Sequence, residues 1–313
     1  MINKPLHIAS AAIALATLLL AGCDNYFKND YKDNSPTSGK LKVFYDEALE
    51  QHVKNQAYTF EALYRNAQLE LFPCNNEEAV QALYHDSCEC ILISRQLSET
   101  EKKAFASRNY FPKFSPVAVS GIALITNVGT HIDSLSYAQV AELLSKPYTT
   151  KDSLGNPVNI AVLLDKNNSS VVHYLSDSLL KGGKFSAGCN ILGSSLESIN
   201  HVARHKNTVA FIDFAWLSDA DDSISKANQG RIKFIALSPP NSSTYEYPHQ
   251  SSFKLGTYPL ARTIYVYRKT GDFSLAKGFE SFVASPKGQL TFLKQGLLPA
   301  RQSERMVKIK TGR

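Results

Sequence analysis

Short apolar runs alternate with helical segments from residue 41 to residue 294, and this alternation constrains the fold more than any other feature. Residues 41–45 read as a strand, 48–65 as a helix and 68–72 as a strand stopped by Pro73. Residues 76–85 read as a helix, with Ala79, Ala82 and Leu83 at helical spacing, and 90–93 as a continuous apolar strand. Ser98-Glu99-Thr100-Glu101 is a capping box that opens the next helix. Further strands are expected at 117–126, 158–164, 209–214, 232–237 (ended by Pro239-Pro240) and 262–267. Helices are expected at 135–144, with Val140, Leu143 and Leu144 on one face, and at 169–180, 199–204, 273–283 and 288–294. Such a pattern means α/β, with mostly parallel sheets covered by helices on both faces.

The chain is long enough for more than one core. Its 313 residues suggest about two domains, taking roughly 150 residues per domain. Hydrophobic residues make up 43% and charged residues 20%, which is a globular balance and not a disordered one. Lysine and arginine number 34 against 28 acids, a net charge of +6. That excess is scattered, with no run of five basic residues and no basic–aromatic ladder, so a nucleic-acid partner is not expected.

The first 22 residues read as a signal peptide. Lys4 is their only charged residue, the apolar run 8–20 is short for a bilayer span, and Ala21 and Gly22 are small. Leu20-Ala21-Gly22-Cys23 resembles the bacterial lipoprotein cleavage box, so Cys23 is expected to carry lipid and become the new N-terminus. The alternative is an ordinary secretory signal followed by a chance cysteine. Residues 23–40 are polar, with Pro36 and Gly39, and read as a flexible tether. The expected location is extracytoplasmic, anchored to a bacterial membrane with the periplasmic face favoured. Asp24 signals inner-membrane retention in some bacteria, a rule that depends on lineage.

Four cysteines remain. An even number in an exported chain invites disulfides, but Cys74 ends one expected strand while Cys88 and Cys90 open the next parallel one. Those are opposite edges of a sheet, beyond the roughly 7 Å that a bridge spans. Cys189 falls elsewhere, and all four are expected as unpaired thiols. His85, Cys88, Cys90 and Cys74 match no structural zinc spacing, so neither metal nor cofactor is expected.

Enzyme signatures are missing: there is no Gly-x-Ser-x-Gly elbow, no His-Glu-x-x-His and no phosphate-binding loop ending in Gly-Lys-Ser/Thr. Ser169 and His173 lie four apart on one expected helix, where a nucleophile–base pair of an exported serine hydrolase can be drawn. Two strand-to-helix turns point instead to anion binding, because such turns aim backbone N–H groups and the helix dipole into one crevice. One is Ile93-Ser94-Arg95-Gln96-Leu97, whose guanidinium can grip an oxyanion with two prongs or pair with Glu99 or Glu101 at the surface. The other is the turn 164–170, rich in Asn and Ser, which can hold an anion or simply cap its helix.

These pieces, in this order, resemble the PstS-type phosphate-binding proteins, periplasmic substrate-binding components of ATP-driven importers. Residues 94–101 resemble that family's Arg-x-Leu-Thr/Ser-x-x-Glu segment, 120–127 its apolar strand ending in Asn, and Asn168-Ser169-Ser170-Val171 its Ser-Gly-Thr turn. Ala210-Phe211-Ile212 resembles its Gly-Phe/Ile strand. Tyr258-Pro259-Leu260-Ala261-Arg262 matches Tyr-Pro-Leu-x-Arg, and Lys287-Gly288-Gln289 with 296–300 matches the closing helix and its end. The resemblance covers most of 41–301. It implies a two-lobed fold, with lobe one at 41–119 and 258–313 and lobe two at 120–257, joined by two crossing segments around a small ligand. It also implies a monomer without enzymatic activity that captures an oxyanion, inorganic phosphate by default, and delivers it to an ABC permease. Ser169, Ser94, Arg95 and Ser170 are the contacts it suggests. Two departures stand out. Ser169-Ser170-Val171 lacks the family's Gly and Thr, and the first turn, usually rich in Gly, Ser and Thr, reads Tyr45-Asp46-Glu47. Asp46 can accept the proton of a protonated phosphate, or can be an ordinary first-turn acid. A different small ligand, or a sensing role, stays open.

Overall fold

The computed structural model describes residues 34–269 and 271–301. The signal peptide, Cys23 and residues 24–33 of the expected tether lie outside the described residues. The remainder of that tether is not free chain. β1 (Asn34–Ser35) turns back antiparallel onto β2 (Ser38–Asp46), which begins three residues before the strand expected from the apolar run. Backbone pairing, which does not depend on side-chain hydropathy, extends it.

The first half of the chain winds as the alternation requires. β2 leads through a 3₁₀ turn (Glu47–Leu49) into α1 (Glu50–Leu63); β3 (Asn66–Cys74), α2 (Asn76–Tyr84), β4 (Cys90–Ile93) and α3 (Glu99–Ser107) follow. β3 and β4 both run parallel to β2, one on each side of it. Period-two alternation explains the layers. Cys90 and Leu92 of β4, with Leu41, Val43 and Tyr45 of β2, join the main core. Ile91 and Ile93 point the other way, into a second cluster with Val80 and Leu83 of α2 and Phe105 of α3. Side chains of this size each contribute roughly 2 kcal/mol when fully buried. The capping box expected at Ser98 is formed, and Asn75/Glu78 and Ser136/Gln139 build two more.

β5 (Lys113–Asn127) is the longest strand and belongs to both halves. The second half adds β6 (Ser134–Ser136), α4 (Tyr137–Ser145), β7 (Tyr148–Lys151), β8 (Pro157–Leu164), α5 (Ser170–Ser178), β9 (Cys189–Ile191), α6 (Ser195–Arg204) and β10 (Thr208–Asp213). A 3₁₀ turn (Phe214–Trp216) leads to α7 (Ser223–Asn228), β11 (Ile232–Phe234), β12 (Ala236–Ser238) and α8 (Gln250–Leu255). The chain then returns through β13 (Ala261–Arg268), α9 (Leu275–Val283), α10 (Pro286–Lys294) and β14 (Leu298–Pro299) to the first half. The strand expected at 232–237 is two strands, because Phe234 pairs with β5 whereas Ala236 pairs with β6.

The crossing lies in β5. β13 pairs with it from Lys113 to Gly121, and β10 pairs with it from Ile122 to Thr126. The Ile122 N–H donates to the Leu260 carbonyl at 2.9 Å, so the outgoing and returning segments are bonded where they cross. Gly121 permits this: a Cβ there would lie 3.0 Å from the Phe253 ring and 3.1 Å from the Leu260 carbonyl oxygen. The sheets are therefore mixed. β8 runs parallel to β9 and β10, as β2 does to β3 and β4, while the strands that cross or return pair antiparallel. This is a two-lobed α/β architecture, with a sheet flanked by helices in each half.

Among the described residues no helix is long and apolar enough to cross a membrane. Cys74, Cys88, Cys90 and Cys189 are free thiols. Cys74 sits opposite Asp46 on one side of β2 and Cys90 opposite Val43 on the other, which keeps them apart as the topology requires. Burial pushes the Cys74 and Cys88 thiols up to about 12, so both stay protonated and unreactive at neutral pH.

Candidate functional site

The parallel strands of the two halves point their carboxyl ends at one another. β2 ends at Asp46, β4 runs into Ser94, β8 into Asp165 and β10 ends at Asp213. All four residues are buried. Asp46 is fully buried and starts as the cap of the first 3₁₀ turn, its Oδ1 accepting from the Ala48 N–H at 3.1 Å. The same carboxylate takes two further bonds: the Ser94 hydroxyl donates to Oδ2 at 2.5 Å, and the Ser170 hydroxyl donates to Oδ1 at 2.7 Å. Ser170 is the first residue of α5, in the other half of the chain. Ser94 is fixed from behind by Asn76, which donates to its hydroxyl and accepts from its N–H, both at 3.1 Å.

Asp165 organises the second half. Its carboxylate accepts from the Ser169 hydroxyl at 2.6 Å and from the Ser195 hydroxyl at 3.1 Å, tying the start of α5 to the start of α6. Ser169 also caps α5 by accepting from the Val172 N–H. Burial raises the Asp165 carboxyl to about 6, against the lowering pull of the Ser169 hydroxyl. Burial also raises Asp46, with the field of Arg262 as the main opposing influence.

Arg262 is the cation of this interior. Its guanidinium forms an ion pair with Asp213, both side chains at most 1% exposed, and it also donates to the Ser170 carbonyl at 3.3 Å. Asp213 is held in addition by the Ser120 hydroxyl at 2.6 Å and the Ala215 N–H at 2.8 Å. The Tyr174 ring lies 5.8 Å from the guanidinium carbon. Burial alone would lower the Arg262 guanidinium, and Asp213 and Asp46 more than reverse it, so it stays charged. The Arg262 Nε–H is buried without a hydrogen-bond partner. Two buried carboxylates, Asp213 and Asp46, thus act on one buried guanidinium.

Partly exposed charges form the rim. Lys166 reaches across to Glu47 at 2.9 Å. Glu77 accepts from Arg95 at 3.1 Å and meets the His173 ring at 3.4 Å. Arg95 is not in the buried cluster. Both its terminal nitrogens donate to Glu101 at 2.8 Å, so the surface pairing foreseen for it is the one that forms. Ser94, Ser169, Ser170 and Asp46 are brought together; Arg95 stands at the edge, and Arg262 takes the interior position. The nucleophile–base pair drawn at Ser169 and His173 does not form, because the serine hydroxyl donates a hydrogen bond to Asp165 and the ring bonds Asn168. Among the described residues no group of three or more His, Cys, Asp or Glu could hold a metal ion.

Sequence reasoning passed over Asp165, Asp213, Ser120 and the role of Arg262. One signal was available for Arg262: it shares the inward parity of β13 with the buried Ile264 and Val266. A charge at such a position needs a buried partner.

The chain is 24% identical over 302 residues to the phosphate-binding protein PstS of Pseudomonas aeruginosa, covering 89% of each. Its fold is similar to that of a substrate-binding protein with bound phosphate from Clostridium perfringens (TM-score 0.67, 18% identity, 84% of this chain and 100% of that one). It is also similar to an ABC-type phosphate transport receptor from Vibrio cholerae (TM-score 0.64, 15% identity, 83% and 100%). These likenesses bear out the resemblance to PstS-type proteins. Residues 32–287 match the PBP superfamily domain, and the chain belongs to that superfamily.

Proposed function

We propose that this protein is an extracytoplasmic binding protein that captures inorganic phosphate between its two lobes and presents it to an ABC importer, without catalysing a reaction. The observation that carries this reading is the convergence of hydroxyl donors from both halves, Ser94 from one and Ser170 from the other, on one buried anionic group. Phosphate is the guest named for the relatives at 24% identity and for the similar folds. In this account lobe one comprises 41–119 and 258–313, of which 302–313 lie outside the described residues, and lobe two 120–257. The lobes open about β5 and the segment that returns before β13, and the guest enters beside Asp46. Ser94 and Ser170 supply hydroxyl donors, Ser169 sets the start of α5 through its bonds with Asp165 and Val172, and Arg262 supplies the buried positive field. Closure then follows from bonds that exist only when both halves meet one guest. Arg95 works at the rim through Glu77, not on the guest. Cys23 carries the lipid that tethers a monomeric body to the membrane.

Isothermal titration calorimetry on protein freed of phosphate tests the reading. Saturable one-to-one binding of phosphate, with sulfate bound at least tenfold more weakly, is expected. A second reading, a binding module of the same fold for another small ligand, is favoured by the two buried carboxylates, Asp213 and Asp46, beside one guanidinium. No heat with phosphate, and saturation by another member of an anion panel, would replace the first reading with the second.

A further inference from the structure

The Asp46 carboxylate is bonded as a bound guest would be. A capping acid needs only the backbone N–H of its own turn, and Asp46 has that in Ala48. It takes two hydroxyls as well, one 48 residues away and the other 124 residues away in the opposite lobe. Its burial is complete, which an ordinary surface cap does not require. Asn76 holds Ser94 from behind, so that hydroxyl is aimed before any ligand arrives. Arg262, whose guanidinium lies within 3.4 Å of the Ser170 hydroxyl, supplies the nearby positive charge and keeps a buried N–H without a partner. A backbone N–H, two hydroxyls from opposite lobes and a nearby guanidinium are the donor set of an oxyanion receptor, and the occupant is part of the chain.

We propose that Asp46 is a resident occupant of the oxyanion site: its carboxylate latches the lobes shut without a guest, and an incoming oxyanion must displace it. This rests on the reading of the interior as an oxyanion site. The latch crosses the gap through one bond, from Ser170, and is reinforced outside by Lys166 on Glu47, the residue next to Asp46. Displacement turns Asp46 away from Ser170, leaves both serine hydroxyls to the guest and exposes the guest to the field of Arg262. The resident carboxylate therefore sets how tightly an anion binds, because each binding event first breaks the two hydroxyl bonds that Asp46 accepts.

The test has two readouts on the wild-type chain and on Asp46→Ser. The first is small-angle scattering of the ligand-free proteins. The wild type should scatter as the closed form, and Asp46→Ser should show a larger radius of gyration. The second is calorimetry with inorganic phosphate, where Asp46→Ser should bind at least tenfold more tightly than the wild type. Equal radii of gyration overturn the latch. So does binding by Asp46→Ser that is equal to or weaker than the wild type's. If neither protein binds phosphate, the phosphate reading fails, and scattering alone decides the latch. Should Asp46→Ser fail to fold, Ser170→Ala removes the bond to Asp46 across the gap together with the longer 3.4 Å contact from Arg262. Its ligand-free form should open if the latch is real and stay closed if it is not.

Discussion

Replacing Arg262 with Met isolates the buried ion pair on which the interior depends. Arg262 and Asp213 have side chains 1% and 0% exposed, so neither charge is shared with water. The substitution removes the cation and keeps an apolar stem of similar length. Asp213 retains the Ser120 hydroxyl and the Ala215 N–H, which soften the loss but cannot neutralise the charge. Removing one partner of a buried pair costs about 3–5 kcal/mol. For a chain of this size that corresponds to a drop in melting temperature of about 6–10 °C. Urea unfolding followed by circular dichroism, with thermal melts in parallel, measures both. Asp213→Asn in the same chain removes the stranded charge and keeps an acceptor for Ser120, so the double variant should recover at least 1 kcal/mol of the loss (order of magnitude). A cost below about 1 kcal/mol for Arg262→Met, the level of an exposed pair such as Lys102–Glu99, would refute the reasoning.

Three further outcomes follow from other parts of the fold. Asp165 titrates near 6 in the folded chain and near 3.8 when unfolded, so its stabilising contribution is complete below about pH 4 and is lost as pH rises through 6. That loss is about 3 kcal/mol, and Asp165→Asn should abolish it; parallel pH–stability curves for variant and wild type would contradict the assignment. His52 shows the opposite sign: burial lowers its ring to about 4, so its contribution is present above about pH 6.5 and is lost as pH falls through 4. Chemical denaturation of His52→Leu should accordingly lack about 3 kcal/mol of the wild-type loss between pH 6.5 and 4, and an unchanged acid limb would count against it. Ser98→Ala removes the bond to the Glu101 N–H and should cost about 1 kcal/mol in urea titrations, with phosphate affinity changed less than threefold; a larger change would tie Arg95 directly to the guest.

The layers were legible because hydropathy and period agreed. Strand β4 reads as four apolar residues, and all four are buried, two on each face. The helix start at Ser98 was legible because a capping box is a local device. Short strands such as β6 and β9 were not, since they exist only through pairing with partners far along the chain. The same limit applied at the site. Ser94, Ser169, Ser170 and Asp46 sit at strand-to-helix turns, which sequence marks, and the fold brings them together. For Arg95 the sequence left an oxyanion or a neighbouring acid open as partners, and only the fold puts Glu101, in the first turn of α3, where it takes both prongs of the guanidinium. Arg262 and Asp213 lie 49 residues apart and pair only once β13 and β10 flank β5, so no local pattern couples them.

The most direct measurement is a crystal structure of the full-length protein grown with inorganic phosphate. A phosphate within hydrogen-bond distance of both the Ser94 and Ser170 hydroxyls, with the Asp46–Ser170 bond broken, is the predicted result. Phosphate bound elsewhere, or seated while Asp46 keeps all three of its present bonds, would contradict the account.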